Sequence, residues 1–419
     1  MKHWTRNPTL TSPTAVWKRN LLVLGAGQFV AISAMGIVIP LIPFFLRELG
    51  MTDRAALERW SGLIFSGPFL AAALMSPVWG ALGDRYGHKR MVVRAIIGLA
   101  FVNLLLVFVR SPTQFLVIRV AQGLVTGFIP AALAITAAST PRDRLPQAIG
   151  KLAAFASAGR MLGPAMGGLL AGFLAFRQLF LVVGLAMAAV AVFVMLFLRE
   201  PPRDTRAATS LGAPLRAAMG DPRLRLALPG LLLAMSGISM TMPVFPLFVE
   251  DFIDSEVDPK VISGIGFATV AGFTLLGATL LGRISERVGL KVLLVGSLLL
   301  AAIALGLHPF ATTVAPMLAL RALLGIAAAG IGPVLHSMIS RAAPDGMAGG
   351  ITGLANSATI LGFFVGPIGG GLLANSVGIG GVFRVAAALA GACAVGAAVT
   401  ARRVGRDRKL DTLPREVPR

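Results

Sequence analysis

Long apolar runs without charge dominate the chain and alternate with short polar segments. Six of them are long enough to cross the roughly 30 Å hydrocarbon core of a bilayer as helices: 20–46, 61–83, 120–141, 178–198, 226–249 and 261–282. Two longer runs exceed one crossing: 292–320 breaks at His308-Pro309, and 346–383 breaks between Asn375 and Gly381. Further runs interrupted by a single arginine complete the set: 91–109, 113–136, 149–173, 313–337 and 385–401. This pattern predicts an all-α integral membrane protein with twelve transmembrane helices.

The polar segments reveal an internal repeat. The ten residues from Gly80 to Lys89 recur in weaker form from Gly282 to Lys291, about 202 residues later. Other pairs keep nearly the same spacing: Pro40/Pro243, Pro43/Pro246, Arg119/Arg321, Gly123/Gly325 and Gly163-Pro164/Gly366-Pro367. Each copy contains six predicted helices, an even number, so we expect two pseudo-symmetric six-helix bundles related by an axis along the membrane normal.

The repeat and the polar segments set the predicted domain boundaries. Two cytoplasmic tails enclose two bundles, and a polar, proline-bearing linker joins the bundles. The predicted segments are an amino-terminal tail at 1–19, bundles at 20–198 and 225–401, the linker at 199–224, and a carboxyl-terminal tail at 402–419.

Composition supports this reading and adds an orientation. Hydrophobic residues make up 56% of the chain, charged residues 13%, and the mean hydropathy is +0.82, whereas soluble domains carry about 25% charged residues. Most of the 38 Lys and Arg residues fall in cytoplasmic segments if the amino terminus is inside. We therefore expect both termini in the cytoplasm. Because the basic residues are scattered over short loops, a nucleic-acid partner is not expected. The single cysteine, Cys393, permits no intrachain disulfide.

The loop at 80–90 combines glycines, one acid and several basic residues: Gly80, Asp84, Arg85, Gly87, Lys89 and Arg90. Asp84 is expected to accept hydrogen bonds from a helix N-terminus and to pair with Arg85 or Arg90. The segment resembles the loop 2–3 signature of the major facilitator superfamily, and Glu286 and Arg287 belong to its weaker copy. The resemblance implies the major facilitator fold and a cytoplasmic latch, a term kept below for these residues. The alternative is a basic loop that only sets orientation.

The fourth predicted helix carries Arg119, Gln122 and Gly123 on one face, because residues at i, i+3 and i+4 adjoin. An arginine inside a span must face water or a partner, since its burial in lipid costs several kcal/mol. This pattern is similar to the helix 4 signature of the superfamily, which implies a part in proton transfer. The alternative is that Arg119 extends outward to the membrane surface.

The fifth predicted helix carries a stripe of small residues with a bending proline: Gly159, Gly163, Pro164, Gly167 and Gly168. It resembles the antiporter signature of the family, which implies export, and Gly366 and Pro367 belong to its copy. The alternative is helix packing without directional meaning. Gly36 to Pro43 on helix 1 is similar to the twelve-helix drug:proton antiporter branch, and short strings such as Ser76 to Gly80 resemble MdtG-like multidrug efflux transporters most.

One departure from that pattern concerns charge. None of the 18 acidic residues is placed at mid-membrane, so proton transfer would use Asp84, Glu48, Glu250 or His336. Three arginines, Arg119, Arg160 and Arg321, are placed inside spans instead. This favours anionic or zwitterionic substrates. The alternative is that each arginine binds backbone carbonyls, Gln28 or Gln122.

The sequence therefore predicts a monomeric inner-membrane transporter that exports small amphipathic compounds in exchange for protons by alternating access. The proton gradient supplies the energy, and no cofactor, metal or catalytic residue is expected because no nucleotide loop, metal spacing or nucleophile–base set is present. Two alternatives remain: an importer or exchanger of an anionic metabolite, and a non-transporting role such as a lipid scramblase or sensor.

Overall fold

A computed structural model describes residues 13–141, 143–200, 212–344 and 347–411. These residues form helices joined by short turns, with one isolated β-bridge between Asp254 and Thr313. The helices before the linker are α1 (Pro13–Val38), α2 (Ile42–Glu48), α3 (Arg54–Tyr86), α4 (His88–Leu106), α5 (Pro112–Val125), α6 (Phe128–Ser139), α7 (Leu145–Leu170) and α8 (Phe176–Phe197). Those that follow are α9 (Gly212–Gly220), α10 (Pro222–Met240), α11 (Phe245–Phe252), α12 (Pro259–Val288), α13 (Leu290–Leu307), α14 (Val314–Arg341) and α15 (Ala348–Asp411).

Nine segments of the described residues are long and apolar enough to cross a membrane, which confirms the all-α membrane class. One of them, Gly349–Val399, is 51 residues long and contains the non-helical Gly378 with φ 72°. The count of twelve crossings stays a prediction. It requires that this segment crosses twice, with its break at Gly378, and that α4 and α7 also cross.

The structure repeats itself at the spacing that the sequence predicts. Gly87, with φ 100°, separates α3 from α4, and Gly289, with φ 80°, separates α12 from α13. Glycine adopts such positive φ values without the penalty that a Cβ brings. The same tight turn is therefore built twice, about 202 residues apart, at the two copies of the ten-residue segment.

The helices of the chain divide into two compact units. Unit 1 comprises 1–210, 243–251 and 255–271, and unit 2 comprises 211–242, 252–254 and 272–419. In unit 1, α1 packs on α7, α3 on α5, and α4 on α8. In unit 2, α15 packs on α10 and α13, and α14 also packs on α13. Residues 201–211 of the predicted linker, 1–12 of the amino-terminal tail and 412–419 of the carboxyl-terminal tail lie outside the described residues.

An aromatic cluster fixes one end of unit 1. The ring of Phe45 on α2 meets Phe115 of α5 edge-on at a centroid distance of 5.1 Å. Phe176 and Phe180 of α8 meet the same ring at 5.5 and 5.1 Å. Edge-to-face pairs at these distances add stabilisation beyond the burial of their surface. The short helix α2 is thereby held against the ends of α5 and α8.

The run at 120–141, predicted as continuous, is interrupted in the structure. Helix α5 ends at Val125, Thr126 is extended, and Gly127 adopts φ 123° before α6 begins. The carbonyl of Thr126 accepts a hydrogen bond from Arg94 Nη2 at 2.8 Å, and that of Leu124 accepts one from Trp79 Nε1 at 2.7 Å. The Arg94 guanidinium also lies over the Trp79 ring at 3.4 Å. These side chains satisfy carbonyls that the break removes from the helix.

Candidate functional site

A buried arginine–amide pair lies on α5 in unit 1. Arg119 is 3% exposed and Gln122 is fully buried. Arg119 Nη1 donates a hydrogen bond to Gln122 Oε1, and Nε donates to the carbonyl of Ile64 on α3 at 3.4 Å. A glutamine side chain and a backbone carbonyl are the kinds of partner that the sequence analysis gave as the alternative to an arginine that favours anionic substrates. The side chain does not extend outward; it is held inside the bundle.

Two buried glutamine side-chain atoms in unit 1 have no hydrogen-bond partner among the described residues. They are Gln122 Nε2, beside Arg119, and Gln28 Oε1 on α1. An unpaired buried polar group costs about 1–3 kcal/mol. Gln28 Oε1 can therefore accept a hydrogen bond from a polar ligand or water at this position, and Gln122 Nε2 can donate one.

The second arginine of the repeat is also buried. Arg321 lies seven residues after the start of α14, as Arg119 does after the start of α5, which places each about 10 Å along its helix. Arg321 is 2% exposed, in unit 2. Position 324, three residues further on, is leucine where the first copy has Gln122. The burial of the arginine is repeated, but the glutamine at the equivalent position is not.

The third arginine has a different environment. Arg160 is exposed at the middle of α7, and its Nη2 donates to Ser157 Oγ on the same helix at 3.2 Å. If α7 crosses the membrane, as the twelve-helix prediction requires, a charged side chain at its middle is very costly against lipid. We infer that this face of α7 meets water. The placement fits the predicted role of Arg160 in setting the charge of a water-filled path.

The glycine stripe of α7 is a close-packing surface. A Cβ at Gly159 would lie 2.8 Å from the carbonyl oxygen of Phe29, and one at Gly163 would lie 2.7 Å from that of Ser33. Gly167 meets the backbone of Ile37 just as closely. The three contacts step along α1 at four-residue intervals, so only glycine permits this approach. Gly168 faces α12, next to Lys260 and Gly264.

The second copy of the stripe repeats this packing in unit 2. Gly362, Gly366 and Gly370 of α15 lie against α10 at Leu232, Ser236 and Met240. Ser239 Oγ donates to the carbonyl of Gly362 at 3.1 Å. Pro367 lies within α15 as Pro164 lies within α7. The predicted packing role therefore has a physical basis in both copies, while its directional meaning stays a prediction.

The latch residues end one helix and begin the next, and their hydrogen bonds differ from those expected. Asp84 Oδ1 lies 3.6 Å from His88 Nε2, and Arg85 stacks over the Tyr86 ring at 5.3 Å. The first backbone N–H groups of α4 are bound by Glu200 rather than by Asp84, at 2.9 Å for His88 and 2.7 Å for Lys89. A carboxylate at a helix N-terminus is favourable for the helix dipole. Gly80, Arg90, Glu286 and Arg287 are exposed.

Sequence reasoning missed a charged cluster in unit 1. Arg47, at the end of α2, binds Glu250 of α11, and Arg54, at the start of α3, binds Asp251. Arg54 also binds Glu58 at 3.1 Å, and the Glu58 side chain is only 7% exposed. We call these five residues the outer cluster. Arg54 and Glu58 lie four residues apart, but the acids of α11 that bind Arg47 and Arg54 lie about 200 residues away, and no periodic signal connects them.

The remaining predicted proton carriers are separated. Glu48 is exposed next to Arg47, and half-buried His336 on α14 shares a hydrogen bond of 3.0 Å with Thr359 Oγ1 on α15. Within the described residues, His, Cys, Asp and Glu form no group of three that could hold a metal ion. Among the acids that the structure describes, Glu58 is the most shielded from solvent, and it was not among the candidates.

The comparisons with known proteins agree on one family of proteins. The model of the Major Facilitator Superfamily matches residues 24–276 and 227–418. Multidrug resistance protein MdtG from Salmonella paratyphi C is 33% identical over 374 residues, which cover 88% of this chain and 92% of that protein. The protein of the same name from Enterobacter lignolyticus is 32% identical over 392 residues, with 93% and 94% covered.

Solved structures with the same fold are more distant in sequence. A bacterial homologue of the human lysosomal transporter Spinster, inward-facing and occupied, aligns with a TM-score of 0.77 at 17% identity and covers 94% of this chain and 98% of its own. The nucleoside transporter NupG aligns with a TM-score of 0.74 at 14% identity, with 91% and 98% covered. At such identities the likeness concerns the fold alone.

Proposed function

Because this chain belongs to the major facilitator superfamily, we propose that it exports small amphipathic compounds in exchange for protons by alternating access. The relatives named multidrug resistance protein give the main support for multidrug efflux. They are about one third identical to this chain over nearly its whole length. The protein acts as a monomer in the inner membrane with both termini in the cytoplasm. The proton gradient supplies the energy, and no cofactor takes part.

Arg119 and Gln122 are assigned to proton coupling. The pair is buried, and Gln122 Nε2 faces no hydrogen-bond partner among the described residues. A fixed buried cation raises the cost of a second cation nearby and favours an anion or a polar group. A bound proton and a cationic substrate both carry positive charge, so this field makes their simultaneous presence near Arg119 unfavourable, which is the requirement for exchange.

The outer cluster is assigned to the outer gate. Its ion pairs join α2 and α3 to α11, so an opening that moves α11 away from α2 and α3 would break the bonds from Arg47 to Glu250 and from Arg54 to Asp251. Glu58 then loses part of the environment that shields it. Because solvent-exposed ion pairs contribute only about 0–1 kcal/mol each, they can break and re-form during transport.

The proposal is tested in proteoliposomes that hold the full chain under an imposed pH gradient. Ethidium, a cationic dye, is expected to exchange for protons, and Asp84→Asn is expected to slow exchange because the latch is weakened. Arg110→Gln, an exposed arginine outside the assigned sites, serves as the control. Dye movement that is independent of the gradient would contradict proton coupling, and an unchanged rate for Asp84→Asn would contradict the latch.

A second function is favoured by one observation. Arg160 is exposed at mid-helix on α7, which suits an anionic metabolite carried by an importer or exchanger. This alternative would be favoured if uptake of an anionic dye such as carboxyfluorescein exceeds ethidium exchange and if Arg160→Ala lowers that uptake. Equal effects of Arg160→Ala on both dyes would remove the charge argument.

A further inference from the structure

Unit 2 contains a cavity of about 880 Å³ between α10, α13, α14 and α15. Its size falls within the range of small-molecule sites, roughly 300–1,000 Å³. Most of its wall is aliphatic, including Leu226, Leu294 and Leu389. Such a wall suits a hydrocarbon chain and offers few groups to orient a polar ligand.

Three basic residues line the same cavity, and each lies at a helix end. Arg223 is in the first turn of α10, Lys291 in the first turn of α13, and Arg341 in the last turn of α14. The start of α13 has no side-chain cap and adds a favourable field for an anion, whereas the start of α10 is capped by the Asp221 carboxylate. The cavity therefore combines an aliphatic wall with three basic residues at its rim.

The first half lacks this space because larger side chains fill it. At an offset of 203 residues, Ala227 replaces Leu24 and Ala397 replaces Val194, and both of these first-half residues are fully buried. A Cβ at Gly27 would meet Val194 at 3.4 Å, whereas one at the matching Gly230 would meet nothing within 4 Å. The cavity is thus a property of the second half and not of the repeated fold.

We propose that this cavity binds an anionic phospholipid, with an acyl chain along the aliphatic wall and the phosphate at Arg223, Lys291 and Arg341. Charge complementarity carries the choice of ligand, since basic pockets between membrane helices on the cytoplasmic side bind anionic head groups. On the predicted orientation, all three residues lie on that side. The site is separate from the buried arginines and from the outer cluster, so it does not rest on the proposed export.

The single cysteine of the chain supplies a reporter, because Cys393 lines the cavity. The full chain in an uncharged detergent is treated with a maleimide while dioleoylphosphatidylglycerol or dioleoylphosphatidylcholine is added. Phosphatidylglycerol is expected to slow modification of Cys393 about fivefold, and phosphatidylcholine by less than about twofold. Equal protection by both lipids, or protection by oleate and not by phosphatidylglycerol, would overturn the assignment.

Native mass spectrometry of the same mixtures gives a second readout that does not depend on Cys393. Lys291→Gln and Arg341→Gln are expected to lose the preference for phosphatidylglycerol, whereas Arg110→Gln keeps it. Filling the cavity with the first-half residues, Ala227→Leu with Ala397→Val, is expected to abolish retention of the lipid. Val395→Leu, on the exposed side of α15, is the matched control. Retention of phosphatidylglycerol by the filled variant at the wild-type level would overturn the proposal.

Discussion

The two halves of the repeat share a backbone plan but differ in where polar groups and space are placed. The first half pairs Arg119 with Gln122 and exposes Arg160, whereas the second has leucine at position 324 and Phe363 at the matching positions. The side chains of Leu24 and Val194 fill the interior of the first half, whereas the second half has a cavity at the equivalent positions. The repeat therefore preserves the close packing of its helices, whereas the positions of charged side chains and of the cavity differ between the halves. We infer that coupling belongs mainly to the first half.

The largest effect is expected at the arginine pair. Arg119→Ala removes a buried cation and leaves Gln122 without its partner, so the rate of gradient-driven exchange should fall about a hundredfold, close to 2.7 kcal/mol. Arg321→Ala should reduce exchange less once protein amounts are matched, because no amide accompanies Arg321 at the equivalent position. Initial rates in proteoliposomes measure both. Equal losses in the two variants would show that coupling is shared between the halves.

Overpacking of the glycine stripe should have the next largest effect. Gly167→Val forces a branched side chain against the Ile37 backbone, which we expect to cost about 1–3 kcal/mol of unfolding free energy. Gly370→Val should cost a similar amount, since its close contact is with the Met240 backbone. Gly150→Val on the same helix as Gly167 is the control, because nothing lies within 4 Å of its Cβ position. Thermal unfolding in detergent compares the three, and a tolerated Gly370→Val would show that the packing is not equivalent.

The outer cluster should show a moderate effect. Arg54→Gln removes the partner of both Glu58 and Asp251, and the expected loss of stability is about 1 kcal/mol because Arg54 is partly exposed. The neighbouring exposed Arg59→Gln is the control and should change little. High salt should reduce the difference between the two variants. A difference that persists unchanged in 1 M salt would argue that the charges do not act through these pairs.

The smallest effect is expected at the start of α4. Glu200→Gln keeps a hydrogen-bond acceptor but removes the charge that faces two backbone N–H groups, so about 0.5 kcal/mol should be lost. Glu256→Gln, in an exposed segment, is the control. Among the described hydrogen bonds, no carboxylate binds the first backbone N–H groups of α13. The carboxylate cap is therefore another difference between the halves. Hydrogen exchange at His88 and Lys89 reports the change, and unaltered exchange would exclude the cap.

Features tied to local pattern could be predicted from the sequence. Apolar runs gave the helical membrane class, and the repeat of Gly87 at Gly289 marked two equivalent turns that the structure confirms. The stripe at Gly159, Gly163 and Gly167 indicated close packing because glycine at four-residue intervals has few other uses in a membrane helix. The spacing of Arg119 and Gln122 placed them on one helix face, but it left open whether Arg119 extends outward or is buried.

Features that depend on distant residues could not be predicted. The partners of Arg47 and Arg54 come from a helix some 200 residues later, and acids at a helix end carry no pairing signal. Glu200, and not Asp84, accepts the hydrogen bonds from the first N–H groups of α4. The end of α8 lies beside the start of α4, and the sequence does not show this. The cavity in unit 2 arises from small residues, Ala227 and Ala397, that are ordinary in any membrane helix.

The central claim is that exchange is driven by protons and coupled through Arg119. The most direct measurement is ethidium efflux from proteoliposomes under a pH gradient, with the gradient then collapsed by a proton ionophore, for the wild type and for Arg119→Ala. We predict that efflux in the wild type stops on collapse, and that Arg119→Ala shows only slow efflux that the ionophore does not change. Wild-type efflux that continues at the same rate after collapse would contradict the account.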